Sequence, residues 1–150
     1  MIKQIILLIL LSSTCLGAEL QGKVTSITDG DTVKVFDGFQ EIKIRLSNID
    51  APESKQAFGT RAKQKLAEKV FGKTVVVEYY KKDKYKRIIG TIWLENRNIN
   101  LEMVKDGYAW AYRKYLDDIN FLQAEKDARD NKFGLWADPF PQPPWDFRKR

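Results

Sequence analysis

Residues Thr28 to Glu53 read TDGDTVKVFDGFQEIKIRLSNIDAPE and carry two Asp-Gly dipeptides, Asp29-Gly30 and Asp37-Gly38. Such pairs mark tight turns when they punctuate β-branched stretches. Between them lies Thr32 to Phe36. After the second, Ile42, Ile44 and Leu46 alternate with Lys43, Arg45 and Ser47. That period of two puts the three apolar residues on a core face and Arg45 on the other. Upstream, Leu20 to Ile27 is extended in character. The stretch predicts three strands joined by tight turns, a β-meander.

Downstream, Ala62, Leu66, Ala67 and Val70 recur at helical spacing among lysines, and Gly72 closes that helix. Thr74 to Tyr80 and Ile88 to Leu94 read as strands, with the polar Lys81 to Arg87 between them. Asn96-Arg97 reads as a turn. Leu101 to Asp106 reads as a short helix ended by Gly107. Phe121, Ala124 and Ala128 mark a last helix, with Asn120 and Gln123 as its capping pair and Gly134 beyond it. Five or six short strands with an inserted helix predict a mainly β, α+β chain: a five-stranded Greek-key barrel of OB-fold type with about three helices. Asp138 to Arg150 carries four prolines, so an extended tail is expected there, docked through Trp145 and ending in Arg148-Lys149-Arg150.

The chain has 150 residues, 26 basic against 20 acidic, a formal charge of +6 and no histidine. The length suits one domain with a real core. Without histidine the commonest general base and zinc ligand are missing, so chemistry falls to carboxylates, arginine, lysine, tyrosine or a hard metal ion. Residues 1–18 follow the layout of a secretory signal peptide: basic Met1 to Lys3, apolar Ile5 to Leu11, then small residues up to Gly17 and Ala18. Cleavage near Gly17/Ala18 would remove the only cysteine, Cys15, and lower the charge by one. The body then spans 19–138 and the tail 139–150, in a secreted or periplasmic protein.

Asp29-Gly30-Asp31-Thr32 reads as a hairpin turn or as half of a site. What favours a site is Asp50 and Glu53, which flank Ala51-Pro52 just past the third strand. The start of the second strand and the end of the third lie at one end of a meander, so Asp31 and Asp50 converge. An oxygen donor set of this kind suits Ca²⁺ or Mg²⁺ rather than zinc. Arg45, and Arg87 in the Lys84-Tyr85-Lys86-Arg87 loop, read either as surface ion-pair partners or as a bidentate grip on phosphate.

Taken together, Asp29-Gly30-Asp31-Thr32, Ile44-Arg45-Leu46, Ile49 to Glu53, Asp83 to Arg87, Gly107 to Tyr112 and Gly134-Leu135-Trp136 resemble, in order and spacing, the staphylococcal-nuclease-like (thermonuclease) family. The resemblance runs from about Leu20 to Asp138. It implies an OB-type barrel and a phosphodiesterase acting on DNA and RNA. Asp31, Asp50 and the main-chain carbonyl of Ala51 would hold Ca²⁺. Glu53 would be the base, and Arg45 and Arg87 would grip the scissile phosphate. Lys84, Tyr85, Tyr112 and Tyr115 would contact the nucleotide. Two departures stand out: Lys86 replaces a common glycine, and the segment Ser54 to Ala57 is short. No stable protein partner is implied, and a monomer is expected. The rival readings are a non-catalytic nucleic-acid-binding OB module and a secreted polyanion binder. Arg45→Ala and Glu53→Gln are expected to cripple turnover with the fold intact.

Overall fold

The computed structural model describes residues 17–150. The signal-peptide reading of residues 1–18 therefore falls almost wholly outside the described residues. β1 (Ala18–Asp29), β2 (Thr32–Phe36) and β3 (Glu41–Leu46) form the expected meander, β1 antiparallel to β2 and β2 to β3. β4 (Ile49–Asp50) is short, and α1 (Gly59–Val70) follows it. β5 (Thr74–Lys82) and β6 (Ile88–Leu94) form a hairpin, with β5 antiparallel to β1. β6 then runs parallel to β3, pairing Ile44 with Ile88 and Arg45 with Ile89. That contact closes β1, β2, β3, β5 and β6 into a five-stranded barrel of OB-fold type, which removes the exposed sheet edges.

β7 (Arg97–Asn98) leads into α2 (Ile99–Lys105), and β8 (Trp110–Ala111) pairs antiparallel with β4. A 3₁₀ turn at Arg113–Tyr115 precedes α3 (Asn120–Asp130), and a second at Gly134–Ala137 precedes α4 (Pro144–Phe147). The barrel interior takes Val24, Val33, Val35, Ile44, Leu46, Val77 and Ile92, closed at one end by Leu66 and Val70 of α1. Each such side chain adds roughly 1.5–3 kcal/mol on burial. The period-two reading of β3 holds: Ile44 and Leu46 are buried, and Arg45 points away from them. Among the described residues no helix is long and apolar enough to cross a membrane.

Three local expectations need correction. The turn lies at Glu95-Asn96, because Arg97 already pairs with Leu94 in β7. Asn120 and Gln123 do not cap α3. Asn120 is its first helical residue, Gln123 donates to Asp127, and the Asp118 carboxylate accepts the Asn120 N–H instead. The tail is not wholly extended, since Pro144 stands at the first position of a one-turn helix, where a missing N–H costs nothing.

Two buried polar groups hold the fold without announcing themselves in the sequence. The Asn100 side chain accepts from the Ile92 N–H and donates to the Ser47 and Gly90 carbonyls, joining α2 to β6 and to the turn after β3. Glu125 on α3 accepts from the Ala111 N–H and from Arg113 and Arg129, and Arg129 lies 3.9 Å over the Trp136 ring.

Candidate active site

The β1–β2 turn and the end of β3 meet at one end of the barrel. The Leu46 N–H donates to the Asp31 carbonyl at 2.8 Å, fixing the two segments side by side. Asp31 is 6% exposed and Asp50 1%. Nη2 of Arg45 lies 3.2 Å from an oxygen of each. Nη1 of Arg45 donates to the Leu46 and Ile49 carbonyls at 2.6 and 2.9 Å. The guanidinium thus pins the loop 46–50 as well as balancing the aspartates. Asp31 also accepts from the Ala51 N–H at 2.8 Å and from the Thr32 hydroxyl at 3.0 Å. The expected convergence of Asp31 and Asp50 is therefore present, with Arg45 between them and the Ala51 N–H, rather than its carbonyl, turned to Asp31.

Gly30 lets the helix approach this corner. A Cβ there would lie 2.7 Å from the Ala62 methyl and 2.8 Å from that of Ala51. Gly59 does the same for the loop carrying Glu53, since any side chain at 59 would collide with the Glu53 carbonyl. The reach of α1 toward Asp31 thus depends on two positions without side chains.

Burial raises the carboxyl of Asp50, and the Asp31 charge adds to that, while the hydrogen bond from Arg148 and the nearby Arg45 oppose it. Asp29 is pushed up to about 7, first by burial and then by the Asp31 charge and hydrogen bond. Carboxylates crowded this closely in a dry corner demand positive charge.

Glu53 lies on the loop after β4, with its carbonyl accepting from the Gln56 N–H. Its carboxylate accepts from Nη1 of Arg148 at 2.6 Å. The same guanidinium holds both oxygens of Asp50, at 3.1 and 2.6 Å. Arg148 is thus a component of the site that the sequence reading left in a basic tail. The only signal was its place three residues after Trp145.

Arg87 stands one residue before β6, whose pairing with β3 sets Ile89 opposite Arg45. Its Nε donates to Asp83 at 2.7 Å. Among the described residues its two terminal nitrogens donate to nothing. Burial tends to raise the Asp83 carboxyl, but bonds from the Arg87 side chain and from the Arg87 and Tyr85 N–H groups hold it below the usual range. Tyr85 is exposed, with Lys84 5.1 Å and Arg87 5.5 Å from its ring centre. Lys86 has φ +61°, the left-handed region that glycine enters without strain, so a side chain at this position is held in a strained turn. Tyr112 and Tyr115 pack edge to face at 5.1 Å, and the Lys81 ammonium lies 5.8 Å from the Tyr115 ring. Asn48 links this aromatic pair to the acidic corner. Its carbonyl accepts from the Tyr112 N–H and its side chain from the Asp117 N–H.

Among the described residues no three Asp, Glu, His or Cys side chains stand together as a ready metal cage. The donor set nonetheless fits a hard cation. Asp31 and Asp50 offer buried carboxylate oxygens on one corner, and calcium completes its shell with carbonyls and waters.

The fold is a closed OB barrel with buried aspartates bridged by an arginine at one end, and with exposed basic and aromatic side chains on the turn before β6. Comparison with known proteins places it further. The staphylococcal nuclease homologue family matches residues 43–138, and the chain belongs to that family. It is 41% identical to a micrococcal nuclease of Shigella flexneri, over 94% of this chain and 87% of that one. It is 40% identical to an uncharacterized endonuclease of Escherichia coli, over 97% and 95%. Protein ParB of Escherichia coli is 43% identical over 88% of this chain and 81% of its own length.

Proposed function

We propose that the chain is a calcium-dependent nuclease that hydrolyses phosphodiester bonds of DNA and RNA with little sequence preference, leaving 3′-phosphate ends. The observation that carries this reading is the convergence of Asp31, Arg45 and Asp50 at one corner of the barrel, in a chain of the staphylococcal nuclease family. Asp31, Asp50 and the Ala51 carbonyl would hold calcium, which when bound supplies a divalent charge facing the phosphate. Glu53 accepts a proton from the attacking water as the water oxygen bonds to phosphorus. The bond from phosphorus to the 5′ oxygen breaks, and that oxygen leaves as an alkoxide that takes its proton from solvent water. Arg87 offers its two terminal nitrogens to the non-bridging oxygens, where charge accumulates. Arg45 holds both aspartates in place and adds positive charge behind them. Tyr85, Tyr112 and Tyr115 offer ring faces to unstacked bases, which favours single-stranded or frayed substrate. Contacts directed at phosphate carry no sequence information, which is the basis for the low specificity.

Secretion rests on the sequence of residues 1–18. β1 starts at Ala18, so cleavage after Gly17 would leave the strand whole. Nothing in the reading requires more than a monomer.

Supercoiled plasmid, single-stranded DNA and RNA incubated with millimolar Ca²⁺, with and without chelator, test the reading. Cleavage that stops with chelator supports it. Binding to all three without cleavage would instead identify a non-catalytic OB module.

A further inference from the structure

The end of the chain lies across the site, and its geometry is that of an occupant. We propose that residues 143–150 form an internal strap in which Arg148 holds the place of the cation and Trp145 covers Tyr112, so that calcium binding requires the strap to leave. This rests on the calcium-nuclease reading above.

The strap is built from few parts. Pro144 opens a single helical turn that sets Trp145 and Arg148 three residues apart on one face. Trp145 lies parallel to the Tyr112 ring, 5.9 Å between centres and 9° between planes, and edge-on to Trp110 at 5.5 Å. Upstream, the Gln56 side-chain amide donates to the Gln142 carbonyl at 2.6 Å, tying the tail to the loop that follows Glu53. Arg148 then reaches Asp50 with both terminal nitrogens and Glu53 with one. Those bonds hold its guanidinium more firmly protonated than an ordinary arginine.

The Arg148 bonds and the stack of Trp145 on Tyr112 fall on groups that the hydrolytic reading needs free. A guanidinium fork on Asp50 uses the carboxylate lone pairs that a cation would take. The bond to Glu53 occupies the oxygen that would accept the proton from water. The Trp145 ring covers the tyrosine face on which a base would stack. The charges make the exchange reversible. Asp31, Asp50 and Glu53 against Arg45 and Arg148 leave one negative charge in surplus. Replacing Arg148 by a divalent ion brings the same set to neutrality.

The cost of the strap appears as a weaker apparent affinity for calcium, its Kd being the intrinsic value divided by the fraction of molecules with the tail undocked. A minor undocked state of roughly 1–10% corresponds to a 10- to 100-fold loss. Calcium titrated calorimetrically into the full chain, without nucleic acid, measures this directly. Arg148→Gln and Trp145→Ala should both bind calcium at least about tenfold more tightly than the unaltered protein. Trp145→Ala removes no charge, so tightening in Arg148→Gln alone would reduce the effect to simple electrostatics and overturn the strap. Equal or weaker binding in both variants, with the unaltered chain still taking up calcium, would also overturn it. Calcium uptake by none of the three would sink the cation-site reading and the strap with it, an outcome distinct from the other two. Circular dichroism checks folding, and Trp145→Leu, which also removes no charge and loses the stacked ring, replaces Trp145→Ala if that variant fails to fold.

Discussion

Two buried carboxylates in this molecule are each gripped by a pair of arginines, and they are opposites. Glu125 lies between Arg113 and Arg129, with the Ala111 N–H completing its bonds and Arg129 stacked on Trp136. All its partners come from neighbouring elements of the helical side, and its cluster carries excess positive charge. Asp50 lies between Arg45 and Arg148, beside two further carboxylates, with excess negative charge. One of its arginines belongs to the barrel and the other to the tail. A carboxylate that is fully satisfied locally is a structural part. One that keeps surplus charge and borrows a partner from 98 residues away is a candidate site.

The largest expected effect separates chemistry from structure at the Asp50 corner. Arg87→Ala should lower kcat by ~10³-fold or more, judged by arginines that stabilise transferring phosphoryl groups. Urea unfolding should show little change, because Arg87 is tied only to the exposed turn at Asp83. Arg45→Ala should lose comparable activity and destabilise the fold as well, since it leaves buried Asp31 without a cationic partner, leaves Asp50 to Arg148 alone, and frees the Leu46 and Ile49 carbonyls. The sequence alone suggested a clean activity variant at Arg45. The structure moves that role to Arg87. Near-normal turnover in Arg87→Ala would break the assignment of this corner as the phosphate site.

The matching experiment on the other cluster is Glu125→Ala. Removing Glu125 should cost about 1–3 kcal/mol, chiefly from the unsatisfied buried Ala111 N–H, because Arg113 and Arg129 are nearly half exposed and are taken up by solvent. Chemical denaturation should show that loss, while turnover per folded molecule changes by only a few-fold. A drop in turnover on the scale of Arg87→Ala would erase the distinction between the two clusters.

The barrel was legible because its information is local. Asp-Gly pairs and period-two alternation placed β2 and β3, and the run Ile88 to Leu94 placed β6 to the residue. Asp31, Arg45 and Asp50 followed, because meander topology alone brings them to one end. Asn100 and Glu125 were not legible, since a buried polar residue looks like a surface one until its distant partners are known. Arg148 failed for the same reason, aggravated by the prolines. They signalled an extended tail, yet Pro144 at a first helical position is compatible with the turn that aims Arg148 at Asp50.

Between the two extremes sits Glu102, whose carboxyl is held down to about 2, chiefly by the hydrogen bond from Arg97 and then by Lys69, with burial opposing. A depressed folded-state value contributes stability above the ordinary value of 4.5, and that contribution is lost as pH falls toward 2. Glu102→Gln should therefore cost about 1–2 kcal/mol at pH 7, after allowing for solvent screening of a partly exposed group. The difference from the unaltered chain should shrink between pH 4.5 and 2. A difference that stays constant across that range would mean that packing, not charge, makes this side chain matter.

The smallest effect concerns how Arg87 is aimed. Lys86 holds a left-handed backbone with φ +61°, which costs a non-glycine residue about 1–2 kcal/mol. The turn around it tolerates this because Asp83 pins both ends. The Asp83 carboxylate accepts from the Tyr85 and Arg87 N–H groups, its carbonyl accepts from the Lys86 N–H, and its N–H donates to the Arg87 carbonyl. Lys86→Gly relieves the strain but gives the unfolded chain more freedom, so the two terms partly cancel. The expected outcome is a gain below about 1 kcal/mol in urea unfolding. Placed on an Asp83→Ala background, where the two carboxylate bonds are gone and only the two backbone bonds remain, the same substitution should stabilise less, because Lys86 is then freer to relax out of the strained conformation. An equal effect on both backgrounds would show that Asp83 does not set the turn, and the aim of Arg87 would have to come from the Tyr85 ring beneath it.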